Sequence, residues 1–369
     1  MNDQFGFGCM RLPLNEDGTV NYDAFKEMID KYMAEGFTYF DTAHGYVQKQ
    51  SETAIRDCLV ARYPRSSYIL TDKLSTHYFE KEEEIIPLFN HQLERTGVEY
   101  YDYYLMHAQD RHIYEKFKKC HAYEIGKKLK EEGKIKHLGI SFHDSADVLD
   151  LILSEQPDIE VVQIQFNYID YLNSGVQSKA VYEVCRKYNK PVIVMEPIKG
   201  GSLVNLPEAA KKVWDDLNQD CSYAGYALRF CASHEGIFKV LSGMGTMDQL
   251  VDNIKTMKDM KPFTAEEYEA VNQVRDILNS LGGIPCTSCR YCTEVCPMQI
   301  SIPDLFGCFN GKKIFNDWNA GYYYSVHTKT GGTPEQCLQC GQCESVCPQH
   351  LNIIELLQEV KDEFTEEKK

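Results

Sequence analysis

No stretch of the 369-residue sequence approaches the roughly 18 uninterrupted apolar residues that a membrane-spanning helix needs. The opening residues, MNDQFGFGCMRLP, lack a basic lead followed by an apolar run, so no secretory leader is expected either. Positive charge is also scarce. The chain has 39 Lys and Arg against 55 Asp and Glu, a formal charge of −16. Nucleic-acid binders gain affinity from clustered cations that displace counterions, so a nucleic-acid partner is not expected, nor is an anionic membrane. A third absence concerns the first strand candidate, FGFGCMRLP, which contains G-x-G but no third glycine and no helix directly after it. That argues against the phosphate-binding turn of an open doubly wound sheet. The expectation is a water-soluble cytoplasmic protein.

Cysteine, by contrast, is abundant and unevenly placed. Of fifteen cysteines, six lie singly before residue 284, Cys308 stands alone, and eight fill two runs: CTSCRYCTEVCP (286–297) and CLQCGQCESVCP (337–348). Both runs have the spacing C-x2-C-x2-C-x3-C-P. This is not the pattern of a small disulfide-stapled secreted chain, and it suits a reducing compartment, as in an anaerobe.

Between residues 5 and 258, short β-branched and aromatic runs alternate with segments of helical period. Eight strand candidates emerge: 5–10, 38–43, 67–73, 100–107, 136–141, 161–167, 192–198 and 239–244. Phe25, Met28, Ile29, Tyr32 and Met33 trace one helical face, ended by Gly36. Each helix returns the chain to the same sheet edge, so the strands pair in parallel. Eight repeats in some 250 residues predict an α/β fold, a (β/α)8 TIM barrel, over 1–283. A further helix follows, capped by Thr264 with Glu267 three residues on. After the break SLGGIP comes a small cysteine-rich domain over 284–369, ending in KDEFTEEKK, read as a frayed end.

Reactive groups of such barrels gather at the C-terminal ends of strands. Asp41 ends the second, with Tyr46 in the loop beyond; Lys73 ends the third and His107 the fourth. A phenol titrates near ~10, and an adjacent ammonium is expected to lower that by roughly 1 to 3 units. Asp41 would keep Lys73 charged, and His107 would orient a carbonyl. Singly, each residue has a plainer reading as cap, surface cation or core side chain. Four complementary types on adjacent strand ends favour catalysis.

FDTAHGY, the TDK of the third strand, LMH, GIS at 139–141 and SGMGTMDQLVDN resemble the aldo-keto reductases, over about residues 5–280. The resemblance implies NAD(P)-dependent hydride transfer to or from a carbonyl or alcohol substrate, with Asp41, Tyr46, Lys73 and His107 as the catalytic tetrad and Tyr46 as proton donor. It places Ser141, Gln163 and Met195 against the nicotinamide, and Gly200, Gly201, Gly243, Gln249 and Asn253 along the pyrophosphate and adenosine. Phe142 stands where many relatives have Asn, and Met195 where many stack an aromatic ring. Gly243 and Gln249 occupy positions that carry Lys and Arg in NADPH-preferring members. Without those charge-assisted contacts the expectation tilts toward NADH, and leaves room for another redox cofactor such as flavin.

A 4Fe-4S cluster needs four thiolates around one cube, and C-x2-C-x2-C wraps three corners. The alternative, zinc, usually takes two C-x2-C pairs a dozen or more residues apart, a poorer match. The segment resembles two-cluster ferredoxins, in which the cysteine before proline serves the other cluster. That resemblance assigns Cys286, Cys289, Cys292 and Cys347 to one cluster, and Cys337, Cys340, Cys343 and Cys296 to the second. The 40-residue insert between the motifs carries GYYYS (321–325), read as a core or contact patch, and Cys308, read as structural.

Hydride moves two electrons and a cluster accepts one, so direct exchange needs an intermediary. Three functions follow: a carbonyl reductase with auxiliary clusters, an electron-transfer enzyme fed by a ferredoxin or other redox partner, or a cluster-bearing docking protein. The segment after the barrel is expected to pack near the barrel mouth.

Overall fold

The computed structural model describes residues 3–284, 286, 290–347, 349 and 351–365. The eight strand candidates become β1 (Phe5–Gly8), β2 (Tyr39–Asp41), β3 (Ile69–Leu74), β4 (Tyr101–Gln109), β5 (Ile135–Phe142), β6 (Val161–Gln165), β7 (Val192–Met195) and β8 (Ile237–Ser242). Every neighbouring pair is parallel and β8 closes on β1, giving a closed barrel rather than an open sheet.

Inside the barrel, Tyr39, Leu105, Val161, Ile193 and Leu241 form a small separate core. Bulky residues from these strands leave no room at Gly139, where a Cβ would come within 2.5 Å of Val161 Cγ1. The larger core lies between strands and helices. The helix Tyr22–Ala34 starts where Asn21 accepts from Ala24 N–H and buries Phe25, Met28, Ile29 and Tyr32. The helix Ala265–Asn279 carries the Thr264/Glu267 capping box, and Glu267 also grips Arg229 at 2.6 and 3.0 Å.

The cysteine-rich segment builds its own core from Leu305, Phe306, Phe309, Tyr323, Leu357, Val360 and their neighbours. Its principal helices are Ile302–Phe315, Ala320–Thr330 and Ile353–Thr365. The last of these corrects the reading of KDEFTEEKK: residues 361–365 are helical because Phe364 stacks on Tyr324 at 4.2 Å, and the remaining four lie outside the described residues. Cys308 is buried in this core, as expected of a structural thiol.

The segment folds back onto the barrel mouth along the loop after β6. Ser174 Oγ donates to Pro303 O at 2.6 Å, and His327 Nε2 meets Gly175 O at 2.9 Å. Gly307 permits the approach, since a Cβ there would lie 2.5 Å from Gly175 N. Among the described residues no helix is long and apolar enough to cross a membrane.

Candidate active site

Parallel closure brings the ends of β2, β3 and β4 side by side, and with them the four residues read from the sequence. Lys73 Nζ donates to Asp41 Oδ1 at 2.5 Å and to Thr42 O at 2.8 Å. The same ammonium lies 4.8 Å from the centre of the Tyr46 ring. His107 meets Tyr46 edge to face at 6.0 Å, and its Nδ1 is 2.6 Å from Ser75 Oγ. Asp41, Tyr46 and His107 line a cavity of about 270 Å³, and Lys73 lies beneath it, fully buried.

Electrostatics corrects one expectation. Burial raises the Tyr46 phenol above its ordinary value, and the Lys73 ammonium, which pulls it down, does not outweigh that cost. A phenolate at this depth must surrender its hydration, and one cation already shared with Asp41 does not restore it. Lys73 itself is held charged: burial alone would depress it, but Asp41 and Tyr46 push it above the usual ammonium range. His107 is held well below the usual histidine value by burial, and next by Lys73, so its imidazole is neutral. The tautomer in which Nδ1 accepts from Ser75 leaves Nε2–H as the ring's donor.

The cofactor candidates divide between two connected spaces. Ser141, Gln163, Met195 and Gly243 line the inner cavity. Gly200, Gly201, Gly243, Gln249 and Asn253 line an outer groove of about 910 Å³, which shares Arg11, Glu196, Leu241 and Gly243 with the cavity. Ser141 Oγ accepts from Ala108 N–H at 2.8 Å and keeps its own hydrogen to donate. Gln163 Nε2 donates to Asp41 Oδ2 at 3.2 Å. Two of the groove candidates have their side chains occupied by the protein: Asn253 donates to Ser242 Oγ, and Gln249 accepts from Gly245 N–H. Phe142 is buried and is not part of the cavity wall.

Sequence reading missed several wall residues. Arg11, His143 and Glu196 follow β1, β5 and β7, so the strand-end rule that found Asp41 and Lys73 reaches them too. Burial holds His143 at about 4, hence neutral. Trp318, Asn319 and Tyr322 come from the insert between the cysteine motifs. GYYYS is therefore split: Tyr322 faces the cavity and donates to Ala108 O at 3.4 Å, Tyr323 is buried beside His143, and Tyr324 packs on Phe364. Behind Asn319 runs a buried polar chain. Asn319 Nδ2 donates to Gln165, Gln165 to Asp170, and Lys199 Nζ joins Asp170 and Asp317 at 2.8 and 2.5 Å.

The described cysteines of the two motifs line two small cavities. Cys296, Cys337, Cys340 and Cys343 line one small cavity, and Cys286, Cys292 and Cys347 line another. Each thus takes its last cysteine from the other motif. Cys289 lies outside the described residues. None of the described cysteines forms a disulfide. Thiols spread around a void suit a cube with a metal at each corner.

Residues 4–276 match the Aldo/keto reductase family, and 285–352 match the 4Fe-4S dicluster domain. The chain belongs to the aldo/keto reductase family. Among similar curated proteins, L-galactose dehydrogenase of Arabidopsis thaliana is 23% identical over 314 residues, 74% of this chain and 89% of the relative. The 9,11-endoperoxide prostaglandin H2 reductase of Trypanosoma cruzi is 27% identical over 218 residues, 57% of this chain and 69% of the relative. Among solved structures, an aldo-keto reductase from Bacillus halodurans superposes with a TM-score of 0.60 at 23% identity, covering 73% of this chain and 91% of that one. One from Klebsiella pneumoniae, in complex with NADPH, gives 0.58 at 16%, covering 74% and 90%. This aldo/keto reductase is thus an oxidoreductase-type barrel joined to an iron–sulfur dicluster domain.

Proposed function

We propose that the protein transfers hydride between a nicotinamide nucleotide and a small carbonyl or alcohol, with its two 4Fe-4S clusters held beside that site for one-electron traffic. The observation that carries the reading is the convergence of Asp41, Lys73, Tyr46 and His107 at one cavity. A bound nicotinamide would supply the two-electron chemistry. Tyr46 gives its proton to the carbonyl oxygen as the carbon is reduced, and Lys73 stabilises the phenolate left behind. Asp41 keeps Lys73 charged and fixed. Neutral His107 offers Nε2–H to the same oxygen. The raised phenol value favours this direction, because Tyr46 stays loaded with its proton at neutral pH.

Ser141 O–H and Gln163 Oε1 would meet the nicotinamide amide, one donating and one accepting. The outer groove fits the rest of the nucleotide in extent. It presents Asp215, Asp248 and Asp252, with Arg11 as the cation among its lining residues. A 2′-phosphate would meet carboxylates there, whereas ribose hydroxyls would find acceptors, which supports NADH over NADPH. In the inner cavity Arg11 pairs with Glu196 at 3.2 Å and Asp41 with Lys73, so an uncharged substrate fits best. We propose the domain boundary at 283/284, a reading supported by Ile284 belonging to the second core.

The test is anaerobic purification with iron and sulfide counting, then titration with NADH and NADPH while cluster absorbance and bound nucleotide are followed. Saturable binding of NADH, tighter than NADPH, together with carbonyl-dependent oxidation is the expected result. Absence of binding by either nucleotide would sink the reading.

A further inference from the structure

The two cysteine runs align without a gap, and Arg290 of the first corresponds to Gly341 of the second. Both positions precede a short helix and both adopt the left-handed conformation, with φ of +65° and +74°. Glycine takes that conformation freely; arginine does so at a cost. Space does not account for the difference, since a Cβ at Gly341 would meet nothing within 4 Å.

The guanidinium indicates what the arginine does. Arg290 lines the first cavity together with Cys286, Cys292 and Cys347. It donates to Asp304 through Nη2–Oδ1 at 2.6 Å and Nη1–Oδ2 at 3.1 Å. Asp304 is not among the described residues that line the cavity, and Gln177 of the barrel also donates to it at 3.1 Å. Asp304 thus anchors a cation that belongs to the cavity wall and interacts electrostatically with Cys292. Among the described residues no charged side chain lines the second cavity, and Ile302 lies in the walls of both.

We infer that Arg290 raises the reduction potential of the cluster in the first cavity, and so draws an electron shared between the clusters toward that one. The inference rests on the reading that both motifs hold 4Fe-4S clusters. Reduction adds one negative charge to a cluster, and an adjacent fixed cation in a partly desolvated site stabilises the reduced form. The bidentate bond to Asp304 holds the guanidinium in place and offsets the backbone strain.

The experiment is a potentiometric titration of the full-length protein followed by EPR, on wild type, Arg290→Gly, Arg290→Lys and Asp304→Asn, each after iron and sulfide counting. Arg290→Gly, which makes the first motif match the second, is expected to move one midpoint to lower potential and leave the other in place. Asp304→Asn is expected to move the same midpoint upward, and Arg290→Lys to leave it near wild type. Unchanged midpoints at full cluster content would overturn the inference, as would equal shifts of both. If Arg290→Gly loses iron, Asp304→Asn decides, an unmoved midpoint there counting against the role. Wild type lacking iron and sulfide would instead remove the underlying reading.

Discussion

Replacing Tyr46 by Phe removes one oxygen and leaves the ring that packs edge to face on His107. If that oxygen is the proton donor, turnover falls by ~10²- to 10⁴-fold, or about 2.7 to 5.4 kcal/mol of barrier at 1.36 kcal/mol per tenfold. Folding changes far less. Lys73 keeps its bonds to Asp41 and Thr42 O, so one lost hydrogen bond costs about 0.5 to 1.5 kcal/mol. Nucleotide affinity should not move, because the phenol belongs to the carbonyl end. The comparison variant, Lys73→Met, behaves differently. It strips the buried Asp41 carboxylate of its counter-ion and should cost about 3 to 5 kcal/mol of stability along with activity. The assay is steady-state nucleotide oxidation with a small neutral carbonyl, alongside nucleotide binding and thermal unfolding. In wild type, reduction should hold steady through neutral pH and decline only as the phenol ionises, above ~10. A Tyr46→Phe enzyme within about threefold of wild type would refute the proton-donor role.

Crossed ligation makes a second prediction. Cys347→Ser should lose the same cluster signal as Cys286→Ser, leaving about four of about eight irons, whereas ligation within each motif would make it resemble Cys340→Ser. Lys199→Met leaves Asp170 and Asp317 facing one another in the interior, so about 3 to 5 kcal/mol of stability should disappear, read by chemical denaturation. That change should also raise KM, because Asp317 precedes Trp318 on the cavity wall. Stability should fall as pH drops from about 6.5 to about 4. In that window the unfolded state binds a proton that half-buried His143, on the cavity wall, refuses, a difference of about 3 kcal/mol. His143→Gln should flatten this slope, and an unchanged slope would count against its desolvation in solution.

The eight strands were legible because periodicity is a local property, as was the helix whose apolar face is Phe25, Met28, Ile29 and Tyr32. The meeting of Asp41, Tyr46, Lys73 and His107 was legible for a related reason. In a parallel barrel every strand end points to one face, so Asp41, Lys73 and His107 must come together once the alternation is recognised. The same rule covered Arg11, His143 and Glu196, which a fuller application would have named. The sign of the Tyr46 shift was not legible, because a neighbour's charge can be read from sequence order and the depth of desolvation cannot.

Motif spacing alone pointed to an iron–sulfur domain, since three corners of a cube need only a short loop. What covers the barrel mouth was decided elsewhere. Trp318, Asn319 and Tyr322 lie more than two hundred residues from Tyr46 in the chain, and no pattern in GYYYS separates the tyrosine facing the cavity from the one packed on Phe364. Their placement follows from docking of two independently built cores, through Ser174, Gly175 and the buried Lys199 pair. Short-range order thus specified the strands and the cysteine loops, whose interactions span a few residues. Long-range packing specified the cavity and its electrostatics, because burial depends on every element that closes over a site.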